Sequence, residues 1–460
     1  MTIPLDQPVS TAPAYLGTSR ATIDLGAIRD NVAELDRRAG DAGVIAVIKA
    51  DAYGHGLIPS ARAALAGGAR YLAVAQLAEA LSLRAAGVTA GLKASGTPDV
   101  AVVVNQGPRD AAAAVLTENR VAAAPVVWTR RAVRDGRATA VVLNSGGANA
   151  ATGAEGLEDA RRTAEHAAAA LGTAADDVLV CSTGLIGERL PMDTLTAGVS
   201  EAVAALSPDG GEDAAVAIKT TDTVAKTAVA RGAGFTVGGM AKGAGMLAPG
   251  MATMLSVITT DADVPAPALD AALREAVRAT FNRVDSDGCM STNDTVILLA
   301  SGASGTAPEP AAFAAALHEV CADLSRQLVA DAEGARHDIA VRVVHAETEE
   351  AAEAVARAVG RSNLFKTAIF GQDPNWGRVI AAVGTVPESV AAFDPYALDV
   401  RFNGVQVCRA SGVGEDRSRV DLTAREVLVE VDLHAGDAEA TVWTNDLTHD
   451  YVHENSAYST

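Results

Sequence analysis

Positive charge is scarce in this 460-residue chain: 37 lysines and arginines face 57 aspartates and glutamates, for a formal net charge of −20. So acidic a surface repels polyanions, which argues against nucleic-acid and anionic-membrane partners and leaves small metabolites. No apolar run approaches the roughly 18 residues a membrane-spanning helix needs, and the opening MTIPLDQPVSTAP lacks the basic and apolar regions of a secretion signal. A cytoplasmic location is expected. Cysteines are few and widely spaced (Cys181, Cys289, Cys321, Cys408), so buried thiols are expected rather than a zinc site or redox pair. The histidines sit in unlike contexts, and neither a triad nor a metal site is expected from them.

Lysine is rarest among the cations, represented only by Lys49, Lys93, Lys219, Lys226, Lys242 and Lys366. Arginine supplies permanent surface charge, so a lysine retained in such a chain points to a need for a compact or titratable ammonium. All but Lys93 fall inside the motifs quoted below.

At this length the chain is expected to hold two or three compact units. Up to about residue 84 it alternates ATIDL, the helical AIRDNVAELDRRAG, the apolar strand VIAVIKA, the loop DAYGHG, a helix, the strand YLAVAQ and another helix. That is the grammar of βα units in a parallel sheet or barrel. After Thr89 short strands, Gly-rich turns and Ala-rich helices alternate, as in DVAVVVNQG, ATAVVLNSGGANAATG and GLEDARRTAEHAAAALG, which suggests a layered α/β sandwich.

The sharpest chemistry lies in GGMAKGAGMLAPGMATMLSVITT, where a small-residue loop leads through Ala252 into Thr253 at the opening of an apolar strand. A threonine hydroxyl needs an adjacent base, and a threonine freed at its own amino end has one in its α-amine. Cleavage of Ala252–Thr253 creates that amine, and Gly245 and Gly250 permit the strained turn it requires. By itself the segment is more simply a Gly-rich turn before a core strand. A phosphate loop is disfavoured because the order GxxxxGK[ST] is absent.

The chain also carries STGLIGERLP, KTTDTVAK, DGCMSTNDT, LFKTAIFGQDPNWGRV and the terminal HENSAYST. Together with the threonine segment these resemble the ornithine acetyltransferase (glutamate N-acetyltransferase) family over about residues 84–460. The resemblance implies a layered α/β sandwich of the N-terminal-nucleophile kind, with Thr253 as nucleophile and self-cleavage between Ala252 and Thr253. An α chain (85–252) and a β chain (253–460) result, two of each in the assembly. It implies an oxyanion hole from Thr183 and Gly184, and substrate binding by Thr220, Lys242, Glu333, Asn455 and Thr460 besides Thr253. Glu333 would face the ornithine ammonium, and Lys242 a substrate carboxylate.

The implied reaction moves acetyl from N-acetylornithine to glutamate through an acetyl-threonine ester, without a cofactor, in arginine biosynthesis. Acetyl-CoA is a second donor the resemblance allows. Ala151, Lys219 and Met290 depart from the family pattern, none at a catalytic position. A threonine-type amidohydrolase or aminopeptidase on a similar sandwich is one rival reading.

Residues of about 15–86, from ATIDLGAIRDNVAEL through AVIKADAYGHG to LAEALSLRAAGV, resemble the start of alanine racemase. There Lys49 would carry pyridoxal phosphate, with Tyr53 beside it, and a pyridoxal-phosphate-dependent racemase is the other rival reading. The match spans about two βα units, whereas a closed eight-unit barrel needs about 250 residues. The expectation is therefore a partial βα-barrel fragment (1–84) that binds no pyridoxal phosphate productively, joined to the acetyltransferase-like part at RAAGV.

Overall fold

A carboxylate starts the first helix. Asp24 Oδ1 accepts the Ala27 N–H at 3.0 Å, and α1 (Leu25–Ala39) follows. It buries Val32 in a small cluster with Ala64 and Ala69. β1 (Ile45–Val47) and β2 (Tyr71–Ala73) pair in parallel, with helical residues 60, 63, 64 and 66 between them in the chain. A parallel pair requires such a crossover, so the βα grammar read from the sequence is realised here. The computed structural model describes residues 23–39, 44–47, 60, 63–64, 66–69, 71–73, 84–245 and 254–457. The chain divides into two compact units, Met1–Ala80 and Leu81–Thr460.

The second unit stacks two sheets. In the first, β3 (Arg84–Val88), β4 (Val100–Val104), β6 (Ala140–Gly147) and β7 (Val178–Leu185) lie in that order; β6 and β7 run parallel and the other pairs antiparallel. In the second the order is β5 (Ala111–Leu116), β11 (Thr295–Ala300), β10 (Leu255–Thr260), β9 (Phe235–Lys242) and β8 (Lys226–Gly232). Alternation along these strands assigns the layers. Leu255, Val257, Ile297 and Leu299 share a core with the first sheet. Ile258, Val296 and Leu298 pack with Leu269, Leu273, Leu317 and Leu324 of α6 (Ala266–Ala279) and α7 (Pro310–Ala330). The first sheet's core takes in residues of α2 (Ala124–Ala132), α3 (Gly153–Leu171), α4 (Met192–Ala204) and α5 (Gly211–Ala217). The unit is thus built on helix, sheet, sheet and helix layers, the expected sandwich.

A third sheet orders β15 (Gly412–Val413), β14 (Val405–Arg409), β13 (Asp399–Phe402), β16 (Glu426–Asp432), β12 (Asp338–Ala346) and β17 (Ala438–Asn445). Its core includes residues of α8 (Glu349–Gly360), α9 (Asn363–Phe370) and α10 (Trp376–Val383). α11 (His449–Ala457) ends the described chain.

Two sequence expectations shift. RAAGV is not merely a join: it is β3, with Ala85, Ala86 and Val88 buried. The strand expected to open at Thr253 begins instead at Leu255, because Met254 directs its N–H to Asp294 Oδ1 (3.0 Å) rather than into the ladder. Three of the four cysteines are buried, and Cys289 is exposed.

Candidate functional site

The ends of β7, β9 and β10 form the centre. Thr183 is fully buried near the end of β7. Gly184 follows at φ +126°, where a Cβ would lie 2.6 Å from Gly146 C and Gly147 N, so only glycine fits this turn. Lys242 closes β9 opposite Leu255 of β10, and its Nζ reaches from the second sheet to Thr183 Oγ1 of the first at 3.2 Å. That bond ties the two sheets beside the start of β10.

Lys242 is held among charges. Burial lowers its pKa; Asp222 pulls it back up, Lys226 lowers it further, and Glu333 and Asp294 raise it. Asp222 Oδ1 accepts from Lys226 Nζ and from the Gly243 N–H, both at 2.7 Å. Burial alone would push the Asp222 carboxyl up. The Lys242 and Lys226 charges, with the hydrogen bonds from Lys226 and Gly243, outweigh it and hold the group at about 2. Lys226, fully buried, also bridges to Asp331 at 2.5 Å. Thr220 is exposed and gives its N–H to Asp222 Oδ2 (3.0 Å). The divergent Lys219 bonds the Thr223 carbonyl within its own loop (3.2 Å).

Glu333 sits where the α7 exit meets the MAKGAG loop. Its N–H bonds the Ala244 carbonyl (2.8 Å), its carboxylate lies against Gly245, and Asn455 Nδ2 of α11 donates to Oε2 at 3.0 Å. Thr448 Oγ1 to the Gly334 carbonyl (2.7 Å) and Arg336 to Asp450 (2.9 Å) pin that helix. The C-terminal segment therefore folds back as far as Ala457. A cavity of about 410 Å³ opens here, lined by Thr221, Thr223, Asp331, Glu333 and Glu454 among others.

Of the residues singled out from sequence, Thr183, Gly184 and Lys242 converge at one end, and Glu333 and Asn455 meet at the other. Thr220 borders them through Asp222. Ala252, Thr253 and Thr460, like Lys49 and Tyr53, lie outside the described residues. Sequence reasoning passed over Asp222, Asn293 and Asp294 and marked Lys226 only as a retained lysine, although all stand inside the quoted KTTDTVAK and DGCMSTNDT. Asn293 Nδ2 bonds the Ala148 and Ser182 carbonyls (2.6 and 2.8 Å), anchoring the approach to β11 beside Thr183. Lys93, the retained lysine outside the motifs, is lowered chiefly by burial to about 8, with Asp99 opposing and Lys242 adding.

Among the described residues one group brings metal-type donors together, His345, Asp432 and His434, within 4.8 Å of one another. Hydrogen bonding accounts for it, since His345 Nδ1 and the His434 N–H meet the Asp432 carboxylate at 2.9 and 3.0 Å, and His434 Nε2 meets Asp399 at 3.2 Å. No helix among the described residues is long and apolar enough to cross a membrane.

Comparison with known proteins gives two family matches. Residues 84–460 match the ArgJ family, and residues 23–139 match the alanine racemase N-terminal domain. The second match runs beyond the expected end near residue 86 into residues that form β3, β4 and β5. There β3 and β4 pair antiparallel, so the parallel βα pattern stops at the unit boundary. The arginine biosynthesis bifunctional protein ArgJ of Streptomyces coelicolor is 64% identical over 375 residues, 82% of this chain and 97% of that protein. The protein of the same name from Thermobifida fusca is 63% identical, over 83% of this chain and 98% of its own. Among solved structures, the ornithine acetyltransferase of Mycobacterium tuberculosis, complexed with ornithine, has 55% identity, covering 36% of this chain and 91% of that one at a TM-score of 0.35.

Proposed function

This chain belongs to the ArgJ family, and on that premise we propose that it transfers acetyl from N-acetylornithine to glutamate in arginine biosynthesis. The transfer passes through an ester on Thr253, made competent by self-cleavage of Ala252–Thr253. Acetyl-CoA is a second donor in this reading. The protein works in the cytoplasm as two α chains, ending at Ala252, and two β chains, beginning at Thr253.

The observation that carries the reading is the meeting of Thr183 and Lys242 (3.2 Å) beside Met254, the residue after Thr253. A hydroxyl that accepts from an ammonium keeps its own proton, so Thr183 can donate it to the oxygen that becomes negative as the acetyl carbonyl is attacked. The Gly184 N–H is the second donor. Both amino-acid substrates carry an α-carboxylate, which Lys242 serves, with Thr220 and Thr460 completing that end. Glu333, oriented by Asn455, favours ornithine over glutamate in the first half-reaction, since a buried carboxylate attracts an ammonium and repels a carboxylate. The acidic lining of the adjoining cavity supports that assignment.

Intact mass spectrometry under denaturing conditions tests the proposal. The wild-type chain is expected as two fragments divided before Thr253, and Thr253→Ala as one uncut chain without acetyl transfer. An uncut wild-type chain that still transfers acetyl, or an active one cut elsewhere, would refute it.

A further inference from the structure

In the third sheet, β12 and β16 run parallel and end together, with Val344 opposite Asp432. Two histidines stand at these ends, both with left-handed backbone: His345 at φ +53° and His434 at φ +50°. The β12–β17 register also shifts between Val343 and Ala346, around His345. Backbone hydrogen bonds fix the arrangement, from the Leu433 N–H to the Val344 carbonyl (3.1 Å) and from the Ala435 N–H to the His345 carbonyl (2.7 Å). A left-handed residue other than glycine is strained and a bulge re-aims a side chain, so both features persist where a side chain has to point one way. Here they bring the two imidazole rings face to face, 6.3 Å apart and 20° from parallel.

Between the rings negative charge gathers. Asp432 and Asp399 are buried register partners across β13 and β16, and like charges set directly opposite destabilise a sheet. The neighbouring arginines pair elsewhere, Arg342 with Glu430 and Glu439 and Arg401 with Glu430. Asp399 Oδ2 meets His434 Nε2 at 3.2 Å, which places a proton on that nitrogen and leaves the lone pair of a neutral ring on Nδ1. That Nδ1 lies 3.4 Å from Asp432 Oδ1, so two electron-rich atoms face each other unless a proton or a metal ion lies between them. His345 Nδ1 approaches the other oxygen, Oδ2, at 2.9 Å. The hydrogen bonds that hold the group thus also converge its donors.

We propose that His345, Asp432 and His434 form a binding site for a divalent transition-metal ion of the zinc class, held through both Nδ1 atoms and the Asp432 carboxylate. Imidazole nitrogen with carboxylate is a donor set such ions take. Asp399 is the outer carboxylate that orients a ligating imidazole through its other nitrogen, and the Ala410 N–H anchors it at 2.8 Å. One donor atom from each of the three residues already lies within 4.8 Å of the others. Zinc holds nitrogen and oxygen at about 2.0–2.2 Å, so the group tightens by about 1 Å around the ion. Rotation of two half-exposed rings allows that. A cavity of about 310 Å³ alongside, lined by His345, Asp432, Glu430 and Asp437 among others, admits the ion and leaves room for water in its remaining position. The ion ties the end of β12 to the end of β16. Sequence gave no hint of it because the two histidines lie on separate strands, far apart in the chain.

The test is zinc uptake by the purified full-length protein, stripped with a chelator and dialysed against a zinc salt. Wild type is expected to take up one zinc per chain and His345→Ala and His434→Ala none. His166→Ala, which removes a ring bonded to Ser200, should bind as wild type does. Asp399→Asn should weaken binding about 10- to 100-fold, the usual loss with an outer carboxylate. Uptake unchanged in both His345→Ala and His434→Ala, or absent in wild type, overturns the proposal. Should either variant fail to fold, ring-nitrogen magnetic resonance of wild type with isotope-labelled histidine decides: zinc is expected to shift two of the eight histidines, and an unchanged spectrum overturns the site. Acetyl transfer plays no part in these readouts, so their outcome is separate from the Thr253 reading.

Discussion

At the scale of single residues, the retained lysines are informative. Lys226 and Lys242 are among the largest fully buried side chains, and Lys366 is buried as well. Lys226 is clamped between Asp222 and Asp331, and deleting one partner of such a cluster strands the others' charge. Lys226→Met should therefore lower stability by about 3–5 kcal/mol, read by denaturant unfolding; a change within experimental error would show that the cluster adds nothing net. Asp222 gives a pH signature. Its folded pKa, about 2, lies below the roughly 3.9 of an unfolded aspartate. The folded state therefore holds fewer protons between these values, and stability present above about pH 4 is lost as pH falls toward 2. Melting temperatures should drop across that window, and less steeply in Asp222→Asn. The lysine scarcity that pointed to this cluster was visible in the sequence. The acids that hold it were not, because an isolated aspartate in a chain this acidic carries no distinguishing mark.

At the scale of elements, strands and helices were read well and their ends less so. DVAVVVNQG and GLEDARRTAEHAAAALG became β4 and α3 by apolar run and helical spacing. The start of β10 moved to Leu255 because a carboxylate 40 residues downstream competes for the Met254 N–H, which no local pattern reveals. The β6–β7 pair shows the same dependence on distant chain: its register slips at Gly146 and Gly147, where Gly184 packs too closely for any side chain. Gly184→Ala should shift Gly146 or the Thr183 turn, lowering stability by about 1–3 kcal/mol and reducing acetyl transfer at least about a hundredfold, as loss of an oxyanion donor does. Thermal melts and steady-state rates check both. Transfer at the wild-type rate would remove Gly184 from the proposed oxyanion hole.

At the scale of the molecule, the two resemblances overlap in sequence while the fold assigns the overlap to one side. Residues 84–139 match both families, yet they supply strands to two sheets of the Leu81–Thr460 unit. The major cores of that unit are assembled from its own residues. A chain lacking residues 1–80 is accordingly expected to fold, self-cleave and transfer acetyl, measured by intact mass and acetylglutamate formation. Failure of its cleavage would mean that the first unit is needed for the second to mature. Incubating the full chain with pyridoxal phosphate should yield no visible aldimine absorbance, and a band lost in Lys49→Ala would revive the racemase reading.

The residue types by themselves determined the layered α/β class, the βα start and the family, because these follow from periodicity and motifs contiguous in the chain. Only tertiary structure decided that Lys242 on one sheet meets Thr183 on the other, that Asn455 on α11 orients Glu333, and that Asp294 grips the residue after Thr253. Each joins segments 40 to 122 positions apart. Their meeting depends on sheet packing and loop closure, which local sequence does not encode.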